Sequence, residues 1–84
     1  ELSERDIQMM EKRKSLEKYF GRLTPREMEI CHYLAKGFTA KMIGRALNIS
    51  PRTAEIHRSR IMDKLSVGSG ADLVSMSIAY GMRE

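Results

Sequence analysis

Residues 39–65 form two helices joined by a tight turn, and no other feature of the chain narrows its fold as much. Met42, Ile43, Ala46 and Leu47 make a short apolar stripe at helical spacing. Asn48-Ile49 then breaks the pattern, asparagine being one of the few residues comfortable in the left-handed backbone that ends helices. Ser50-Pro51 starts a second helix, with Ser50 able to cap the orphan amides and Pro51 suited to the first helical position. That second helix carries its polar and basic groups on one side. A protein needs this arrangement to push a helix into the DNA major groove.

The flanking segments supply the rest of a bundle. Thr24 and Glu27 are spaced as a capping box with Pro25 at the first helical position, so a helix is expected from there to about Lys36, stopping at Gly37. Thr39 caps the next, about 40–47, and the third runs from Pro51 to Leu65. Val67-Gly68-Ser69-Gly70 reads as a turn, followed by a last helix from Ala71 to Tyr80 that ends at Gly81. Residues 3–20 also look helical, with Ser3 as cap. Their apolar residues, Ile7, Met9, Met10, Leu16, Tyr19 and Phe20, do not make one stripe, and the run Glu11-Lys12-Arg13-Lys14-Ser15 separates an outer part from an inner part. This segment is expected to be a linker whose Tyr19-Phe20 end folds onto the domain, although a solvated helix face has the same composition. No strand pattern or internal repeat is present. The expectation is an all-α fold, a four-helix bundle at residues 23–84 preceded by a linker helix at 1–22.

The net charge of +4 is modest, so its placement matters more than its size. Residues 1–20 are neutral and residues 66–84 carry −1, while residues 21–65 hold nine Lys or Arg against four Asp or Glu, net +5. Phosphate would be met by such an excess in the helix-turn-helix; a solvated charged surface has the same balance. The single cysteine, Cys31, excludes an intrachain disulfide, and its neighbours Ile30, Leu34 and Ala35 point to a buried thiol rather than a nucleophile. His32 and His57 have no Asp, Glu or Cys cluster around them, so neither a metal nor a cofactor is expected. Met28, Met42, Met62 and Met76 are expected to fill core gaps. There is no signal-peptide core and no long apolar run, which leads to a cytoplasmic expectation; the opening at Glu1 suggests a piece of a longer protein.

At about 100° per residue, Ala54, Ile61 and Leu65 fall in one narrow arc of the 51–65 helix, with Arg58, His57 and Met62 on its edges. The opposite side collects Arg52, Ile56, Ser59 and Asp63, flanked by Glu55, Thr53 and Arg60. Arg52 can pair with guanine, Glu55 can accept from cytosine N4, Ser59 can do either, and Ile56 can touch a thymine methyl. Glu55 has a second reading, a surface contact to Ser59 or Arg52. Lys41, Thr53, Arg60 and Lys64 are better placed for phosphate, where they would supply affinity rather than sequence choice.

Taken together, Leu23-Thr24-Pro25-Arg26-Glu27-x-Glu29-Ile30, Ala35-x-Gly37-x-Thr39-x-Lys41-x-Ile43 and Leu47-x-Ile49-Ser50-x-x-Thr53-x-x-x-His57-x-x-x-Ile61-x-x-Lys64-Leu65 resemble the LuxR-type helix-turn-helix domain. Arg52 to Arg58, with Met62 and Lys64, is most similar to its FixJ-like response-regulator branch. The resemblance covers about residues 23–81. It implies a bacterial transcription regulator binding DNA as a dimer through the last helix, with Glu55, Ile56 and Ser59 in the groove and Lys41, Thr53 and Lys64 near the backbone. It also implies an upstream receiver domain joined through residues 1–22, and RNA polymerase as a further partner. Ala40, Met42 and Ala54 depart from the residues usual at those positions, and Gly70 replaces a frequent Arg, which implies a looser start to the last helix. Leu73, Val74, Ile78 and Tyr80 give that helix more apolar surface than a three-helix core needs. Leu73, Val74, Met76, Ser77 and Tyr80 are therefore expected to be shared between the core and a weakly bound second copy.

Two other classes stay open. A sigma-factor-like promoter-binding region uses a similar motif, but the capped helix at 71–80 argues against it. A protein-interaction module with a degenerate helix-turn-helix would not show duplex binding that weakens steeply with salt. No acid-base pair, activated nucleophile or phosphate loop can be assembled, so an enzyme is not expected.

Overall fold

Each helix begins where a side-chain oxygen takes over an orphan amide. The computed structural model describes residues 3–82, which form α1 (Glu4–Phe20), α2 (Pro25–Ala35), α3 (Ala40–Leu47), α4 (Pro51–Leu65) and α5 (Gly70–Tyr80). Ser3, Thr24, Thr39, Ser50 and Ser69 accept from the backbone N–H three residues on, at Asp6, Glu27, Met42, Thr53 and Asp72. Such caps are worth about 1 kcal/mol each. No strand occurs among the described residues, and the fold is the expected all-α four-helix bundle with a helix before it. At α5 the looser start does not appear: Ser69 caps it and the helix opens one residue earlier, at Gly70.

The core is built from Ile30, Cys31 and Leu34 of α2, Ile43 of α3, Ala54, Ile61 and Leu65 of α4, and Leu73 of α5. Phe20, at the end of α1, is fully buried and stacks on Tyr80 with ring centroids 4.2 Å apart. The Arg13 guanidinium sits 5.5 Å from the centroid of the same Tyr80 ring. The last turns of α1 thus fold onto α5, while its outer half leaves Ile7, Met9 and Met10 exposed. Cys31 is buried beside Ser77, Sγ to Oγ 3.5 Å, and burial pushes its thiol above the ordinary 9.0, so it is an inert packing group.

Two expectations are corrected. Met42 does not fill the core: it is 44% exposed, because α3 turns Ile43 and Gly44 inward and leaves positions 42 and 46 outside. Of the α5 residues expected to be shared with a second copy, Leu73 and Ser77 lie wholly inside and Val74, Met76 and Tyr80 are half-buried. Leu73 and Ser77 are buried at 1% and 0% exposure, Met76 packs on the core and the half-buried Tyr80 stacks on Phe20 of α1. These four residues share one side of the helix, and Ala71, Asp72, Ser75 and Ile78 are the exposed ones. Val74, on the flank, is half-buried.

Two contacts set the pose of α4. At its start, Asn48 adopts φ 57° and ψ 47°, and the Gly44 carbonyl accepts from both the Asn48 and Ile49 amides. A Cβ at position 44 would lie 2.7 Å from the Ile49 carbonyl oxygen, so only glycine lets α3 and the turn come this close. At its end, the Lys64 ammonium donates to Glu27 Oε1 at 2.6 Å, the same oxygen that accepts from the Thr24 amide at 2.8 Å. Burial acts to raise the Glu27 carboxyl, but the Lys64 hydrogen bond, the Thr24 amide and the Lys64 charge outweigh it and hold it below the ordinary 4.5.

Gly44→Ala should therefore destabilise by about 1–3 kcal/mol in urea unfolding, even though alanine is the better helix former; a gain in stability would refute the close approach. The depressed Glu27 carboxyl contributes stability that is fully present above its unfolded value, near 4.5, and is lost as pH falls through the lower folded value. Glu27→Gln should flatten that acid limb and cost about 2 kcal/mol at pH 7, as read from thermal melts across pH.

Candidate nucleic-acid interface

α4 is held by one face and free on the other. Ala54, Ile61 and Leu65 are buried, His57, Arg58 and Met62 are half-buried along the edges, and Arg52, Glu55, Ile56, Ser59, Arg60 and Asp63 are exposed. The small Ala54, with no exposed surface, lets α4 sit close on the scaffold. Ile56 is 43% exposed on an otherwise polar face.

The residues expected at phosphate occupy different settings. Lys41 is exposed on the first turn of α3, and Arg60 is exposed on the same flank of α4 as Thr53 and Lys64. The Thr53 hydroxyl lies 2.9 Å from Ser50 Oγ, tying it to the cap of α4. Lys64 is not a free cation: its ammonium is committed to Glu27, with the lysine side chain 35% and the glutamate side chain 6% exposed. An ammonium has three donors, so this bond anchors Lys64 without exhausting it. Arg52, Glu55 and Ser59 have no side-chain hydrogen bond or ion-pair partner among the described residues, and the Glu55 surface contacts are not formed.

His57 sits at the core edge, where its Nδ1 is shut away from solvent and has no hydrogen-bond partner among the described residues. No group of three or more His, Cys, Asp or Glu side chains able to hold a metal ion occurs among the described residues. Nor is any described helix long and apolar enough to cross a membrane. Sequence reasoning missed Gly44 and Glu27 as parts of this site. Gly44 carries a signal, since glycine inside a short helix is unfavourable unless something approaches it; Glu27 was visible as a cap, but its second partner is 37 residues away.

The profile of the family described as "Bacterial regulatory proteins, luxR family" matches residues 21–77. The Tetrathionate response regulatory protein TtrR of Salmonella typhimurium is 46% identical over 55 residues, covering 66% of this chain and 27% of that protein. The Transcriptional regulatory protein FixJ of Bradyrhizobium diazoefficiens is 38% identical over 60 residues, covering 71% of this chain and 29% of that protein. Among solved structures, full-length FixJ from B. japonicum is similar with a TM-score of 0.80 at 30% identity, covering 96% of this chain and 40% of that chain. The chain thus spans less than a third of the length of these two curated relatives. The profile match runs from the residue before α2's approach through α3 and α4 and into α5, so the whole helix-turn-helix described above lies inside it: the chain belongs to the luxR family of bacterial regulatory proteins.

Proposed function

We propose that the chain is the sequence-specific DNA-binding effector domain of a two-component response regulator that controls transcription. The observation that carries this is the free face of α4: Arg52, Glu55, Ile56 and Ser59 are exposed together on a helix whose opposite face is locked into the core. Donor, acceptor and apolar groups on one rigid helix are what base-edge readout in the major groove requires. Asp63, farther along the same side, would repel phosphate, which favours entry by the first turns of α4.

Lys41, Thr53, Arg60 and Lys64 border this face and supply the phosphate contacts, Lys64 with the donors that Glu27 leaves unused. The similarity to TtrR and FixJ, a response regulatory and a transcriptional regulatory protein, supports the regulatory role. Residues 1–22 then connect to a receiver domain, and a cytoplasmic setting with RNA polymerase as a further partner follows from that role. Two copies bind a two-fold site weakly through the exposed side of α5, Ala71, Ser75 and Ile78, with Val74 at its border.

The test is selection of bound sites from random duplex DNA, followed by titration at several salt concentrations. Lys41→Ala and Arg60→Ala should weaken binding to selected and unselected duplexes alike, each lowering the salt slope by about one unit. Unchanged slopes would remove these contacts from the interface. Glu55→Ala, Ile56→Ala and Ser59→Ala should instead change the selected sequence, at about 1–3 kcal/mol per lost base contact. Three profiles identical to that of the unaltered chain would refute the register of α4 in the groove.

A further inference from the structure

α1 has two apolar sides, and one of them opens beside α5. Met9 and Lys12 of α1 and Ile78 and Ala79 of α5 line a groove of about 280 Å³. Met9 is 64% exposed and Ile78 47%, so the fold of one protomer leaves this groove uncovered. The groove is continuous with the outer side of α5, where Ala71, Ser75 and Ile78 are exposed. The contact available to α5 alone is short: eleven residues span about 16 Å. A stable complex buries about 1,200–2,000 Å², more than one such helix face presents.

A two-fold axis at Ser75, perpendicular to α5, lays two α5 helices antiparallel. Ile78 and Ala79 then lie beside the opening turn of the other α5, which carries Ala71 and the exposed Asp72. Asp72 has no cationic partner among the described residues, and Lys12 has no acidic one. The cation stands in the groove that the anion of the second copy would reach, and the symmetry forms this pairing twice.

We infer that the α1–α5 groove is an interface for a second copy of this chain, which seats the opening turn of its α5 there with the partner's Asp72 facing Lys12. This rests on the proposed dimer through the outer side of α5, and gives α1 a part in it. The linker helix then does more than tether: its position against Tyr80 determines whether the groove exists, so its seating and dimer strength are coupled.

The experiment is sedimentation equilibrium of the chain at low salt, up to about 1 mM, with circular dichroism to check folding. Lys12→Glu and Asp72→Lys should each weaken self-association about tenfold, because two exposed pairs turn from attraction to repulsion. An equimolar mixture of the two variants should recover most of the loss, since both pairs are opposite in charge again only across unlike protomers. If Asp72→Lys fails to fold, Asp72→Asn replaces it, with a loss of about threefold expected. Ile78→Asp should abolish association. Loss with Ile78→Asp but no effect of the charge variants, or no recovery on mixing, overturns the groove and leaves the α5 dimer standing. Association unaffected by Ile78→Asp, or absent in the unaltered chain, overturns the α5 dimer and the groove with it.

Discussion

The close approach at Gly44 is the constraint on which the rest of the molecule depends. With no side chain there, the Ile49 carbonyl can lie where a Cβ would stand, and the Asn48 and Ile49 amides can both reach the Gly44 carbonyl. The turn is therefore short and rigid, and the direction of α4 is set within three residues of the end of α3. A recognition helix must be held to a fraction of an ångström for its side chains to meet base edges in register. A larger residue at position 44 would change the angle of α4 before any side chain on its outer face came into play.

The far end of α4 is held by charge. Glu27 Oε1 joins the cap of α2 to Lys64, so one carboxylate oxygen closes a helix start and fixes a helix end. Both partners are partly withdrawn from water, and the amide of Thr24 helps the carboxylate keep its charge there. Between these two anchors, Ala54, Ile61 and Leu65 bury one side of α4 completely. What remains outside is a polar face with one apolar member, Ile56, whose side chains do not contribute to the core. The residues that stabilise α4 thereby lie on one side of the helix, which lets the outer residues change with little effect on the fold.

α1 joins the bundle through a small aromatic contact. Phe20 is buried, stacks on Tyr80 and brings Arg13 over the same ring, while the first two turns of the helix touch little. The same contact half-buries Tyr80 and leaves α5 with a narrow outer side of Ala71, Asp72, Ser75 and Ile78. A helix that both covers and extends the neighbouring surface can transmit a change in its own seating to that surface without a change in the core.

Helix starts and stops were legible in the sequence because caps are local chemistry. Ser3, Thr24, Thr39 and Ser50 each act over three residues, and Asn48 and Gly81 end helices through their own backbone; the Ser69 cap of α5 sat inside a segment that read as a turn. The inner and outer sides of α4 were legible too, because its apolar residues recur at helical spacing among charges. α5 was not: Leu73, Val74, Met76, Ile78, Ala79 and Tyr80 leave it apolar nearly all round, so periodicity could not say which side faces inward. Packing decided that, by placing Ser77 against Cys31 and Tyr80 against Phe20. The second partner of Glu27 and the space denied at Gly44 likewise come from segments brought together in three dimensions, and no local pattern records them. The sequence alone determined where the helices lie and which side of α4 faces outward; the tertiary structure decided what holds α4 in place and which side of α5 is left exposed, because both depend on contacts between residues distant along the chain.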